Sequence, residues 1–306
     1  MKIRRTHGQA TVLTVVFLTV LLGMAALVLD VGSWYRAKRA AQSTADAAAL
    51  AGAQALPYDT GSANTLALQY AGKNGGGLSG SDITISKGTG ANDTIKVHVR
   101  GNANGVFAKL FGVDRVSVGA TATARSSLMQ SAQFVAPIGV NIKHPKLKGT
   151  PGCPCFGAGN MTTLPLGKNG APGSFDLLNI DGSKGGTGGQ TIADWILHGY
   201  SGYLPLGSYL SNPGAKWNDN PIQTALLQRK GTDLLFPVYD TLTGQGSNAV
   251  YHVVGWVGFH LTDFAAQGST GSITGYFTEV RWDGIESTSS DGTSPDLGAR
   301  VVKLVD

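Results

Sequence analysis

The chain has 306 residues, 44 of them glycine, with 14% charged residues, 42% hydrophobic residues and a net charge of +5. A positive balance this mild and dispersed makes no basic cluster of the kind that grips nucleic acid. The hydrophobic fraction excludes a chain too polar to fold, and the glycine content points to short strands and turns.

The first element is an uncharged run of twenty residues, Ala10 to Leu29, twelve of which are Val, Leu or Phe. A bilayer core about 30 Å thick takes roughly 20 apolar residues at about 1.5 Å of rise each. At about −0.3 to −0.6 kcal/mol per large apolar residue, insertion is favoured by several kcal/mol. Ala10, Phe17, Leu22 and Leu29 mark the expected membrane anchor, with the lipid bilayer as its partner. A cleaved secretory signal is the first rival, since Lys2, Arg4 and Arg5 precede the run. The run exceeds the roughly 7–15 residues of a signal's apolar core, and the Ala-x-Ala triplets at Ala47 and Ala51 fall in a helical stretch. Gly8-Gln9 stands where a pilin-type leader is cut, but Leu13 occupies the position at which type IV pilins carry Glu. A retained, unprocessed anchor spanning about 10–30 is expected. The flanking cations tie, three before the run and Arg36, Lys38 and Arg39 after it, so the positive-inside rule leaves orientation open. The composition of the chain beyond Asp30 favours a cytoplasmic N-terminus and an extracytoplasmic bulk.

No proline precedes Pro57, and ten alanines lie between Ser33 and Leu56. Alanine has the best helix propensity, so one helix is expected over 10–56, a rod of roughly 70 Å. Leu56-Pro57 stops it, because proline disfavours helical backbone in the residue before it. Trp34 and Tyr35, beside Arg36, Lys38 and Arg39, read as an interfacial belt at the outer membrane face. Small residues recur every fourth position, in the stripes Ala37, Ala41, Ala45, Ala49, Ala53 and Ala40, Thr44, Ala48, Gly52. Ala41, Ala45, Ala48 and Gly52 are therefore candidate close-packing positions, against either the chain's own folded part or a partner helix.

The combination Gly8-Gln9, an apolar span, Asp30-Val31-Gly32, the aromatic-basic stretch Trp34 to Arg39 and the block Asp46 to Ala53 closely resembles the N-terminal region of TadG-like, Flp-pilus-assembly-related bacterial proteins. The resemblance covers about the first fifth of the chain. It implies a cytoplasmic N-terminus, a role tied to tight-adherence pilus machinery or the cell surface, and pilus or envelope proteins as partners. It implies no catalytic residue.

Beyond the anchor and its continuing helix (1–56), a small α+β domain is expected over 57–125. It comprises a helix at Ala63–Ala71, strands at Asp82–Ser86 and Thr94–Arg100, a helix at Asn104–Phe111 gathering Phe107, Leu110 and Phe111, and a strand at Val116–Ala124. In the second strand Ile95, Val97 and Val99 alternate with Lys96, His98 and Arg100, the mark of one buried face. The small, polar residues 126–134 read as a linker. A Gly-rich, mostly β domain is expected over 135–306, with strands at Ser174–Ile180, Asp233–Tyr239, Ala249–Leu261, Gly271–Trp282 and Ala299–Val305. Two short helices interrupt it. One carries Ile192, Trp195 and Ile196 and stops at Gly199; the other opens at Asn220-Pro221 and closes at Gly231. The longer TadG-like proteins resemble this layout. The fold class is thus α+β: a long N-terminal transmembrane helix, a small α+β unit and a mostly β C-terminal domain.

The chemistry-bearing residues form no compelling constellation. Cys153 and Cys155, the only cysteines, admit a local disulfide, free or intermolecular thiols, or half of a metal site. His252, Trp256 and His260 share a strand face by alternation, but His252 and His260 would lie roughly 26 Å apart, too far for one metal ion. Asp181-Gly182-Ser183-Lys184-Gly185 resembles the Asp-x-Ser-x-Ser metal-binding start of von Willebrand A domains, except that Gly185 replaces the last Ser; it reads as a turn. Asp283, Glu286, Asp291 and Asp296 lack the ligand spacing of a calcium loop. Gly199 to Tyr203 fails the nucleophile-elbow pattern at its last position. No cofactor, no nucleic acid and no enzymatic activity is expected. The leading expectation is a single-pass protein of the bacterial envelope related to Tad/Flp pilus assembly. The alternative is a membrane-anchored, adhesin-like module, which calls for an exposed aromatic patch from Trp195, Tyr200, Tyr203, Tyr209, Trp217 and Trp256.

Overall fold

The computed structural model describes residues 7–166, 177–182, 187–212, 217–244, 248–267, 270–287 and 294–305. The chain is α+β and divides into two units, 1–125 together with 303–306, and 126–302.

In the first unit α1 runs unbroken over His7–Ala53, 47 residues. That is roughly 70 Å at 1.5 Å per residue. A turn follows, and α2 (Thr60–Lys73) starts at Asp59, whose side chain accepts the Ser62 N–H as an N-cap. Strands β1 (Ile83–Ser86), β2 (Thr94–Asn104) and β3 (Arg115–Ala132) make an antiparallel meander, with Ile83 opposite Val97 and Thr94 opposite Arg125. Ile95, Val97 and Val99 are buried, as their alternation requires. They pack with Ala45, Ala48, Ala49 and Ala53 of α1 and Ala63, Ala67 and Ala71 of α2, all buried. The share of this core that α1 and α2 supply is built from small side chains. Lys303 onward returns to this unit, where the Val305 N–H donates to Thr123 O.

Two local expectations change here. The helix expected over Asn104–Phe111 is only a 3-10 turn at Ala108–Phe111, because β2 continues to Asn104 in register with Arg115. The expected linker 126–134 is strand as far as Ala132. Its Ser, Ala and Met residues look like a linker by composition, yet Ser126, Ser127, Met129, Ser131 and Ala132 are buried. The Arg300 guanidinium donates to Ser126 O at 2.6 Å, and the later strands Gly284–Glu286 and Leu204–Pro205 pair along this stretch.

The second unit adds β4 (Val140–Asn141), β5 (Thr162–Leu166), β6 (Leu178–Asn179), α3 (Gly189–His198), β7 (Leu204–Pro205), β8 (Gly207–Ser211), α4 (Asn220–Arg229), β9 (Asp233–Thr243), β10 (Val250–Gln267), β11 (Thr270–Thr278), β12 (Val280–Arg281), β13 (Gly284–Glu286) and β14 (Ala299–Leu304). Its main sheet runs β4-β9-β10-β11-β5, with β8 and β6 alongside. One face is covered by α3 and α4. There Ile192, Ile196, Ile222 and Leu226 pack with Phe236, Val257, Phe259 and Phe277. Phe236 stacks on Phe259, and Phe277 meets Phe259 edge-on, both at 5.4 Å between ring centres. Each such ring contributes roughly 1.5–3 kcal/mol by burial. A second cluster gathers Tyr239, Tyr251, Val253, Trp256, Leu204 and Val280. Of the strand expected at Ser174–Ile180, residues 174–176 lie outside the described residues, and the strand formed by the rest is only β6, Leu178–Asn179.

His144 sits in this unit, buried, with its Nδ1 accepting the Lys146 N–H at 3.1 Å and its ring edge-on to Phe277 at 5.2 Å. Burial, and secondarily the Lys146 charge, push its pKa from 6.5 down to about 4. Between those values the unfolded ring takes up a proton that the folded ring refuses, so stability falls as pH drops through that window. The expected loss from His144 alone is about 2–3 kcal/mol. Urea unfolding of the full chain followed by tryptophan fluorescence at pH 7 and pH 4 measures it. His144→Asn, which keeps an acceptor for the Lys146 N–H, flattens the pH dependence by that amount.

Candidate functional site

The two halves of α1 meet different surroundings. From Ala10 to Leu29 nearly every residue is exposed, including Ala10, Phe17 (65%), Leu22 and Leu29. The helix is long and apolar enough to cross a membrane, and among the described residues its apolar stretch is not buried. From Ala41 onward one side is fully covered. Ala41, Ala45, Ala48 and Gly52 are all buried, and their cover is the unit's own α2 and β2. A side chain at Gly52 would put its Cβ 2.5 Å from Ile95 Cδ1 and 3.0 Å from Ala63 O, so glycine is what allows this approach. Ala37 and Ala40, at the start of the stripes, are not buried. Between α1 and α2 an open groove of about 460 Å³ remains, lined by Ala47, Leu50, Ala51, Gln54, Leu66 and Tyr70.

Contact between α1 and the β2–β3 connection begins at Asp30, the first charged residue after the apolar run. Asp30 is only 3% exposed. Its carboxylate accepts N–H bonds from Val106 at 2.7 Å, from Phe107 at 3.2 and 3.1 Å, and from Ala108 at 2.5 Å. These are the free amides at the start of the 3-10 turn in the β2–β3 connection, and the positive end of that turn faces the carboxylate. A buried carboxylate needs such partners to be tolerated. Three further bonds extend the seam. The Ser33 hydroxyl donates to Asn104 O at 3.3 Å, Lys38 Nζ to Gly119 O, and Gln42 Nε2 to Thr121 O at 3.3 Å. From Asp30 to Gln42 the β2–β3 hairpin is thus tied along about 18 Å of helix. Sequence reading placed Asp30 in a motif but assigned it no partner. Nothing local signals a bond to residues 76 to 78 positions away.

The aromatic belt is realised unevenly. Tyr35 is exposed, with the Arg39 guanidinium 5.1 Å from its ring centre. Trp34 is half-buried, and its Nε1 has no hydrogen-bond partner among the described residues.

The other residues weighed for chemistry are committed to structure. Cys153 and Cys155 are joined by a disulfide. Register shifts in β10 between His252 and Gly255 break the alternation that would have put His252, Trp256 and His260 on one face. His252 pairs with Asp240 at 2.9 Å and His260 with Asp233 at 2.7 Å, both acids on β9, while Trp256 is buried. His98 is exposed beside Thr121. Asp296 holds Arg300 at 2.7 Å and Glu286 accepts from Ser127 at 3.2 Å; Asp291, like Ser183 to Gly185, lies outside the described residues. Among the described residues no three His, Cys, Asp or Glu side chains are grouped to hold a metal ion.

With this geometry in view, residues 8–55 match the model of the putative Flp pilus-assembly TadE/G-like family. Over these residues the chain is similar to that family. The match begins at Gly8, takes in the apolar run, Asp30 and the packed half of α1, and ends just past Ala53. No curated protein and no solved structure matches the chain. The TadE/G-like segment is therefore a single helix that carries both the apolar surface and the docking face for the first unit.

Two substitutions probe that docking face. Gly52→Val overpacks the contact with Ile95 and Ala63 and is expected to destabilise by about 1–3 kcal/mol, whereas Gly32→Ala, where nothing lies within 4 Å, leaves stability unchanged or raises it slightly. Thermal melts of the detergent-solubilised chain compare them. Asp30→Ala frees three amides, so hydrogen–deuterium exchange is expected to speed up in a peptide covering 105–112 while β2 residues 94–100 keep their protection.

Proposed function

We propose that this chain is a non-enzymatic, single-pass protein of the bacterial envelope that serves Tad/Flp pilus assembly. Its apolar helix spans the cytoplasmic membrane, and its two folded units stand outside. The observation that carries this reading is the continuity of α1, bare and apolar over Ala10–Leu29 and packed into a folded unit from Ala41, within the very segment that matches the TadE/G-like family. A helix without a break transmits position: whatever fixes the span fixes the first unit at a set height above the bilayer. The Cys153–Cys155 disulfide supports the extracytoplasmic side, where oxidation is permitted. Pilus subunits or other envelope proteins are the partners this reading supplies.

The adhesin-like alternative draws less support. Of the six rings it calls on, Trp195, Trp217 and Trp256 are buried, Tyr200 and Tyr209 are half-buried, and Tyr203 alone is exposed, at 55%. The non-enzymatic reading rests on four histidines engaged locally: His252 and His260 with strand carboxylates, His144 in a core, His198 with Asp194 one turn away.

Protease added to intact spheroplasts is expected to digest the chain beyond Asp30 and leave a fragment of the N-terminal span; full protection would overturn the topology. Deleting the gene is expected to abolish or sharply reduce surface pili, with restoration by the wild-type chain. Undiminished piliation in the deletion strain would overturn the pilus role.

A further inference from the structure

Among the described residues, the β2–β3 connection bears the most exposed large apolar side chains outside α1. Leu110 is 81% exposed and Phe111 86%, with Val106 and Val113 also exposed beside them. This is not a loose loop. The Gly105 N–H donates to Asp114 O at 3.0 Å and the Val113 N–H to Ala108 O at 3.1 Å, closing the tip on itself. Gly112 holds the left-handed backbone (φ +82°) that ends the 3-10 turn, and a Cβ on Gly105 would meet Val113 O at 2.5 Å. The tip is thus a built structure that presents Leu110 and Phe111 outward.

Its position is set by Asp30. The amides of Val106, Phe107 and Ala108 bond that carboxylate, and Asp30 directly follows Leu29, the last residue of the apolar run. Moving along α1 from Gln42 to Asp30, the hairpin contacts pass from Thr121 and Gly119 to Asn104 and then to 106–108. The hairpin therefore points down the helix, and its apolar tip lies level with the end of the span. The polar layer on each side of a bilayer core is about 5–8 Å deep, and a tip held level with Leu29 falls within it. Lys109 and Arg115, both exposed, flank the apolar residues, as cations do at a headgroup boundary.

We propose that the β2–β3 tip is a second membrane contact: Val106, Leu110, Phe111 and Val113 insert into the interfacial layer of the bilayer that α1 spans, at a depth set by Asp30. The occupant of this apolar surface is lipid, because the surface is continuous with the lipid-exposed half of the helix and is tied to its last turn. The contact fixes the tilt and rotation of α1 at the membrane surface, which one helix alone leaves free. The inference rests on α1 spanning the membrane and holds for either orientation.

The test uses the full chain in nanodiscs of phosphatidylcholine and phosphatidylglycerol. An environment-sensitive fluorophore is attached to single cysteines introduced by Leu110→Cys, Phe17→Cys or, as an exposed apolar control, Leu227→Cys, with the native disulfide left oxidised. All three positions are exposed, so folding is not at stake. Lipids with a spin label at shallow or deep positions serve as quenchers. The expected result is deep quenching at 17, shallow quenching at 110 at least twofold above that at 227, and blue-shifted emission at 110. Deep quenching at 17 with quenching at 110 no greater than at 227 would overturn the tip contact and leave the span standing. Absence of quenching at 17 would overturn the span and the contact with it. Adding Asp30→Ala to Leu110→Cys is expected to cut the shallow quenching at least twofold, and unchanged quenching would overturn the role of Asp30 in setting the depth.

Discussion

A carboxylate at the end of an apolar helix is an expensive group to cover, and the arrangement of the first unit follows from how Asp30 is satisfied. It cannot be buried among hydrocarbon side chains without partners. It takes three backbone amides from a turn more than seventy residues away. That requirement brings the tip of the β2–β3 hairpin to the last turn of the apolar run, and the seam from Ser33 to Gln42 then fixes the direction in which the hairpin lies on α1. Short of that seam α1 is bare among the described residues; beyond it the helix is part of a core.

The core itself follows from size. α1 contributes Ala45, Ala48, Ala49, Gly52 and Ala53, and α2 contributes Ala63, Ala67 and Ala71. Backbones covered by side chains this small approach closely, and the surface they bury per residue is modest. The larger residues of this contact come from the sheet, Ile95 above all, which meets the bare backbone at Gly52. The second unit is built the other way, from a sheet whose Phe236, Phe259 and Phe277 fill the space beneath two helices.

Much of the fold was legible from the sequence. The 47-residue helix, the alternation at Ile95, Val97 and Val99, the helix opened by Asn220-Pro221 and the long β strands from Asp233 onward are written in propensity and period, which act over a few residues. The failures share a cause. Residues 126–132 have the composition of a linker and become strand because Arg300 and β13 reach them from the far end of the chain. Asn104 to Phe111 has the spacing of a helix and yields most of its length to strand and turn, because Arg115 pairs with Asn104 and Asp30 claims the amides. Alternation in β10 failed at a bulge, which shifts every later side chain to the other face.

The sequence by itself determined that an apolar helix leads into an alanine-rich one, that the two are continuous, and that the segment is TadE/G-like. Composition, helix propensity and residue spacing suffice for that. Only the tertiary structure decided which partner covers the small-residue face, where the charge of Asp30 goes, and that Leu110 and Phe111 end at the edge of the apolar run rather than inside a core. Those outcomes depend on contacts between residues far apart in the chain, and no local pattern encodes them.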